Sequence, residues 1–117
     1  MSKDDLVRLW HMMDSAMEAV ELIQGKSRAD LDTNRVVSLA LVRLLEIVGE
    51  AANKVTIATR MQYPNIPWSQ IIRLRNRLIH GYDTINLDIL WKILSDDLPP
   101  LIAQLKRIKY PETGESR

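Results

Sequence analysis

Between Arg73 and Tyr82 the sequence reads Arg-Leu-Arg-Asn-Arg-Leu-Ile-His-Gly-Tyr. Three arginines, an amide, a histidine and a tyrosine fall within these ten residues. The arginines are permanent cations whose planar fork suits a phosphate. His80 can exchange a proton near neutral pH. Together these groups are the materials of phosphodiester chemistry on RNA. That reaction needs a base for the 2′-hydroxyl proton, an acid for the leaving oxygen and cations facing the phosphorane. The bland alternative is a solvated basic helix end, favoured by the helix dipole, with His80 as a cap.

The segment that must position them reads as one helix from Pro67 to His80. Pro67 suits the first helical position and Gly81 the left-handed residue after the end. Ile71, Leu74 and Leu78 recur at three and four residues and form its buried stripe. On such a helix Arg75 and His80 lie about 140° apart, while Asn76 and His80 share a face. Arg75 then reaches round, or the last turn relaxes, or the site draws on two chains. One histidine per chain is half of an acid–base pair, and a two-fold dimer supplies the second.

Arg75, Asn76, His80 and Tyr82 resemble the Arg-x4-His-x-Tyr motif of HEPN-domain proteins, more specifically the HepT-type toxins of HepT/MntA toxin–antitoxin systems. The run Arg43-Leu44-Leu45-Glu46-Ile47-Val48-Gly49-Glu50-Ala51-Ala52-Asn53-Lys54 is similar to that family's second-helix signature. Pro67-Trp68, Leu90-Trp91, Asp97-Leu98-Pro99 and Leu101 fit in order, so the likeness spans about Asp5 to Leu105. It implies an all-α HEPN-type bundle of four to five helices, paired as a homodimer. It further implies a metal-independent endoribonuclease acting on tRNA or mRNA. In that scheme His80 is the general acid/base, Arg75 stabilises the phosphate, Asn76 orients one or the other, and Arg73 and Arg77 add phosphate contacts. Tyr82 is implied as the acceptor of AMP from an MntA-like nucleotidyltransferase antitoxin. The chain itself needs no cofactor, since ATP and Mg belong to that partner. An adenylyl phosphate beside the arginines would occupy them and repel RNA. The runner-up is a non-catalytic HEPN subunit that presents substrate or nucleotide to a nucleotidyltransferase; a plain structural dimer comes third.

The remaining elements read as scaffold. Ser2, with Asp5 three residues on, opens a first helix as a capping box. Leu6, Leu9/Trp10, Met13, Met17, Val20 and Ile23 form its apolar stripe as far as Gly25. His11 falls between core positions and reads as a rim histidine. Gly25 to Asp32 is a polar linker. A second helix runs from Thr33 to Met61, apolar nearly all round in its middle, which suggests burial on both sides, against its own bundle and against a second chain. Gly49, Ala51 and Ala52 would let another helix approach closely. Glu46 and Glu50 lie four apart; with no Glu-x-x-His partner they read as arginine partners, drawn from the motif helix or elsewhere, with a positioning role, and not as metal ligands. After a tight loop at 63–67 and the motif helix, Asp83 to Asn86 is a short loop, with Thr84 or Asn86 capping the next helix. Leu87, Leu90, Trp91, Leu94 and Leu98 line that helix, which kinks or restarts at Pro99-Pro100 and continues to Lys109. Residues 1–110 read as one domain and 111–117 as a disordered tail.

Composition bounds the rest. At 117 residues, 46% hydrophobic and without phenylalanine, the core must be built from Leu, Ile, Val, Ala and Met. The net charge of +1 excludes a general polyanion binder and leaves a local patch to hold RNA. Zero cysteines exclude disulfides and thiol chemistry and suit the cytoplasm. No apolar stretch is long enough to span a membrane, and the first residues are not a signal peptide.

Overall fold

Leu, Ile, Val and Ala side chains repeating at helical spacing decide the architecture, an all-α bundle in a computed structural model that describes residues 1–110. The tail expected at 111–117 lies outside the described residues. The elements run α1 (Lys3–Leu22), α2 (Asp30–Thr33), α3 (Arg35–Lys54), α4 (Ile57–Gln62), α5 (Trp68–Ile72) and α6 (Leu74–Leu78). A hairpin of β1 (Ile79–His80) and β2 (Thr84–Ile85) follows, then α7 (Leu87–Lys92), a π-helical turn over Ile93–Asp97, and α8 (Leu98–Lys106). The buried side chains Leu9, Met12, Leu41, Leu45, Leu78, Leu90, Ile93, Leu98 and Leu105 form one cluster. Helix α3 is its axis, with α1 packed on one side and α5 and α6 on the other.

Helix α1 starts as expected: the Ser2 hydroxyl accepts from the Asp5 backbone N–H. The other half of the capping box does not form. The Asp5 carboxylate instead accepts from the Thr56 N–H at 3.0 Å, the Thr56 hydroxyl at 2.6 Å and the Thr59 hydroxyl at 2.6 Å. Burial alone would raise its pKa, but the hydrogen bonds from Thr56 and Thr59, with a smaller share from the Ser2 hydroxyl acting on the carboxylate, outweigh it and hold the carboxyl below the usual range. The core stripe is also rotated from the expected one. Leu6, Leu9, Met12, Ala16, Ala19 and Ile23 are buried, whereas Met17 is exposed. Met12 and Met17 lie about 140° apart on a helix, so burying the face that carries Leu9, Met12 and Ala16 turns Met17 outward.

The long second helix is divided. It is capped at Asn34, whose side chain accepts from the Val37 N–H, and it ends at Lys54. Val55 and Thr56 adopt extended backbone and Thr56 caps α4, because Thr56 is held by Asp5 across the bundle. Within this chain its middle is buried on one face, and the outer face is the one expected against a second chain. Leu41, Leu45 and Val48 are fully buried while Val36 and Leu39 face outward. Gly49 does provide the expected close approach: a Cβ there would sit 2.9 Å from the Ile71 carbonyl oxygen of α5. The linker before α3 is ordered by Asp30, whose carboxylate accepts from the Ser27 N–H and hydroxyl, and it contains α2.

The motif helix differs most from expectation. Pro67 precedes it, and its carbonyl accepts the first helical bond from the Ile71 N–H. The helix breaks at Arg73 (φ −96°, ψ 10°) and stops at Leu78. The Leu78 carbonyl accepts from the Asn86 N–H at 2.8 Å, so a tertiary bond replaces further winding. Ile79 pairs with Ile85 and His80 with Thr84 in antiparallel register, which makes a hairpin of part of the expected 83–86 loop. Gly81 has the expected positive φ, 71°, but in the hairpin turn and not at a helix end. Asn86 caps α7, accepting from the Ile89 N–H. The final helix restarts as expected: Pro99 and Pro100 open α8, downstream of the π-helical turn.

Candidate functional site

Helix α5 lies against α3 where Gly49 permits contact, and α6, which follows directly, places Arg75 and Asn76 over a groove. The groove holds about 230 Å³ and is walled by Glu46, Gly49, Glu50 and Asn53 of α3, with Leu45 and Ile72 at its base. Glu46 is half-buried and Glu50 exposed, and both carboxylates lie near the Arg43 guanidinium, at 3.7 and 3.6 Å. Their arginine partner is therefore on their own helix. Arg43, set three residues before Glu46 and seven before Glu50, was legible as that partner from spacing alone. Asn53 is a groove residue that sequence reasoning missed, since nothing marks one exposed asparagine on a helix.

The other motif residues diverge from this groove. Arg77 lies 3.7 Å from Asp97 and lines a different cavity of about 240 Å³, between α5–α6 and the 93–104 segment. Arg73 is exposed at the break between α5 and α6. His80 projects with Thr84 from the outer face of the hairpin, opposite the half-buried Ile79 and Ile85. Tyr82, in the turn, is 92% exposed. Neither His80 nor Tyr82 lines the Arg75–Asn76 groove. With His80 in a strand, the helical angle between it and Arg75 no longer applies, and Asn76 and His80 no longer share a helix face.

One bond ties down the hairpin and an ion pair anchors the helix that follows it. Asn86 ties its exit to Leu78, as above. Arg28 of the linker donates to Asp88 in the first turn of α7 at 2.8 Å and to Asp32 at 3.0 Å. Hydrogen bonds to Asp32 and then Asp88 hold the Arg28 guanidinium more firmly protonated than usual. By contrast, Arg73, Arg75, Asn76, His80 and Tyr82 form no side-chain hydrogen bond or ion pair with another described residue. Cations and a histidine presented without internal partners are available to an anionic ligand. Among the described residues no group of three or more His, Asp or Glu could hold a metal ion.

A family model described as "Ribonuclease HepT-like" matches residues 12–108, which include the whole of this region. The chain belongs to the HepT-like ribonuclease family. Ribonuclease is the enzyme class, and RNA the substrate class, that membership carries. Among curated proteins, "Putative RNase MJ1380" of Methanocaldococcus jannaschii is 35% identical over 91% of this chain and 98% of its own length. "Probable ribonuclease HepT" of Thermococcus cleftensis is 31% identical over 83% of this chain and 92% of its own. "Putative RNase TTE0752" of Caldanaerobacter subterraneus is 33% identical over 89% and 93%. No solved structure matches significantly. No helix among the described residues of this family member is long and apolar enough to cross a membrane.

Proposed function

We propose that this family member is the toxin of a toxin–antitoxin pair, a metal-independent endoribonuclease of the cytoplasm that cuts tRNA or mRNA. The observation that carries the reading is the set of motif side chains left exposed and unpaired, Arg75 and Asn76 at the groove and His80 and Tyr82 on the adjoining hairpin. Arg28 and Arg77, by contrast, are engaged by carboxylates.

In this reading a homodimer brings two copies of the motif to one RNA strand. The imidazole of His80 from one copy takes the 2′-hydroxyl proton as the 2′-oxygen attacks phosphorus. The protonated imidazole from the other copy gives its proton to the departing 5′-oxygen. The products are a 2′,3′-cyclic phosphate and a 5′-hydroxyl, and the two histidines exchange protonation states. Arg75 stabilises the charge on the phosphorane, Asn76 orients the phosphate or the imidazole, and Arg73 adds a positive field. Arg77, engaged by Asp97, contributes less. Glu46 and Glu50 keep Arg43 and the groove wall in place.

Control falls to Tyr82. Its exposed hydroxyl attacks the α-phosphorus of ATP held with Mg by an MntA-like nucleotidyltransferase antitoxin; pyrophosphate leaves and the proton passes to solvent or a base of the partner. The tyrosyl adenylate then brings a negative phosphate to the arginines. The test is intact mass of the chain co-expressed with such a partner, beside Tyr82→Phe, together with RNA cleavage by the unmodified chain. Added AMP mass, absent from Tyr82→Phe, with cleavage abolished by His80→Ala, is the expected result. Cleavage by His80→Ala at the wild-type rate would refute the catalytic assignment.

A further inference from the structure

We propose that Arg8, His11 and Lys54 form a second phosphate subsite, which holds the RNA strand next to the Arg75–Asn76 groove. The inference deepens the ribonuclease reading above and rests on it. The three side chains meet where the first half of α1 lies against the last turn of α3. There they line a hollow of about 110 Å³ with Ile47, Glu50 and Ala51. None of the three forms a hydrogen bond or ion pair with another described residue. His11, read from sequence as a rim histidine, is exposed, and Arg8 is half-buried.

Two observations connect this hollow to the motif. Glu50 belongs to both linings, so the hollow and the Arg75–Asn76 groove share a wall. The negative charge of that wall is partly offset, because Glu50 lies 3.6 Å from Arg43, a guanidinium that it shares with Glu46. An anion entering the hollow therefore faces the cationic Arg8 and Lys54 side chains and the His11 imidazole, against one carboxylate that is partly offset by Arg43. Lys54 stands one turn beyond Glu50 on α3, an offset of about 6 Å along the axis. The chemistry recognised is a phosphodiester next to the scissile one, read by charge and not by base.

The test is cleavage kinetics in a salt series. Total cellular RNA first establishes cleavage by the wild-type chain, and the cleaved species then serves as substrate. Arg8→Gln/Lys54→Gln is expected to raise KM roughly tenfold at low salt and to flatten the plot of log(kcat/KM) against log[salt] by about 0.7 for each phosphate left unneutralised. Arg8→Lys, which keeps the charge, is expected to stay close to wild type. All three substitutions lie on exposed or half-exposed positions, and thermal unfolding checks that the variants fold. A KM and salt slope equal to wild type in the double variant, or a loss confined to kcat, would overturn the subsite while leaving the ribonuclease reading intact. A wild-type chain that cleaves no RNA overturns both.

Discussion

Asp5 shows how one side chain can carry a structural decision that its sequence context hides. Its carboxylate is 2% exposed and satisfied by two threonine hydroxyls and a backbone N–H from the α3–α4 junction. Asp5→Asn keeps the shape but loses charge-assisted acceptance, which is expected to cost about 2 kcal/mol. The pH dependence has a definite sign. The folded-state pKa is depressed, so as pH falls the unfolded chain takes up its proton first. The stabilisation is complete above the ordinary value of 3.8 and is lost as pH falls through the lower folded value. Urea midpoints between pH 3 and 7, as a rough range, should fall in acid for the wild type more steeply than for Asp5→Asn. Equal slopes would remove Asp5 from this role.

Among the elements, the α3–α5 contact and the hairpin decide where the motif goes. A glycine inside an exposed helix is ordinarily improved by alanine, by up to about 1 kcal/mol. At Gly49 the order reverses, because the new Cβ would meet backbone, the Ile71 carbonyl oxygen, at 2.9 Å. Gly49→Ala is expected to destabilise by about 1–3 kcal/mol and to lower RNA cleavage, since α5 leads directly into Arg75 and Asn76. Chemical denaturation and cleavage rate measured on the same preparation test both parts. Gly81→Ala asks the same of the turn. With φ at 71° and open space around the Cβ position, the cost is purely conformational, about 1 kcal/mol. Its effect should appear chiefly in activity, through the aim of His80, and only slightly in melting temperature.

At the scale of the whole molecule, the groove of one chain lacks a histidine, which is the expectation for a site completed by a second copy. If two histidines act on one phosphate, then activity should follow the square of the active fraction when His80→Ala and wild-type chains are co-refolded. An equal mixture would retain roughly a quarter of wild-type activity, whereas independent subunits would retain about half. Activity proportional to the wild-type fraction would mean that each chain works alone.

Much of this was legible in the sequence because it depends on local spacing. The three- and four-residue recurrence of apolar side chains dictates helices, Ser2 and Asn86 mark helix starts, Gly81 marks a left-handed turn, and Pro99-Pro100 marks a restart. The ordered segments named the family, and the family carries the ribonuclease class. The tertiary structure decided what local spacing cannot contain. Residues 79–80 have helical neighbours and still form a strand, because the Leu78 carbonyl finds the Asn86 N–H, eight residues away. The stretch 33–61 has no internal stop signal and still breaks at Val55, because Thr56 is claimed by Asp5, fifty-one residues away. The core face of α1 is chosen by its packing in the bundle, so Met12 and not Met17 is buried. In each case a long-range bond or contact outweighs a local preference worth only a fraction of a kcal/mol per residue, about 0.7 or less.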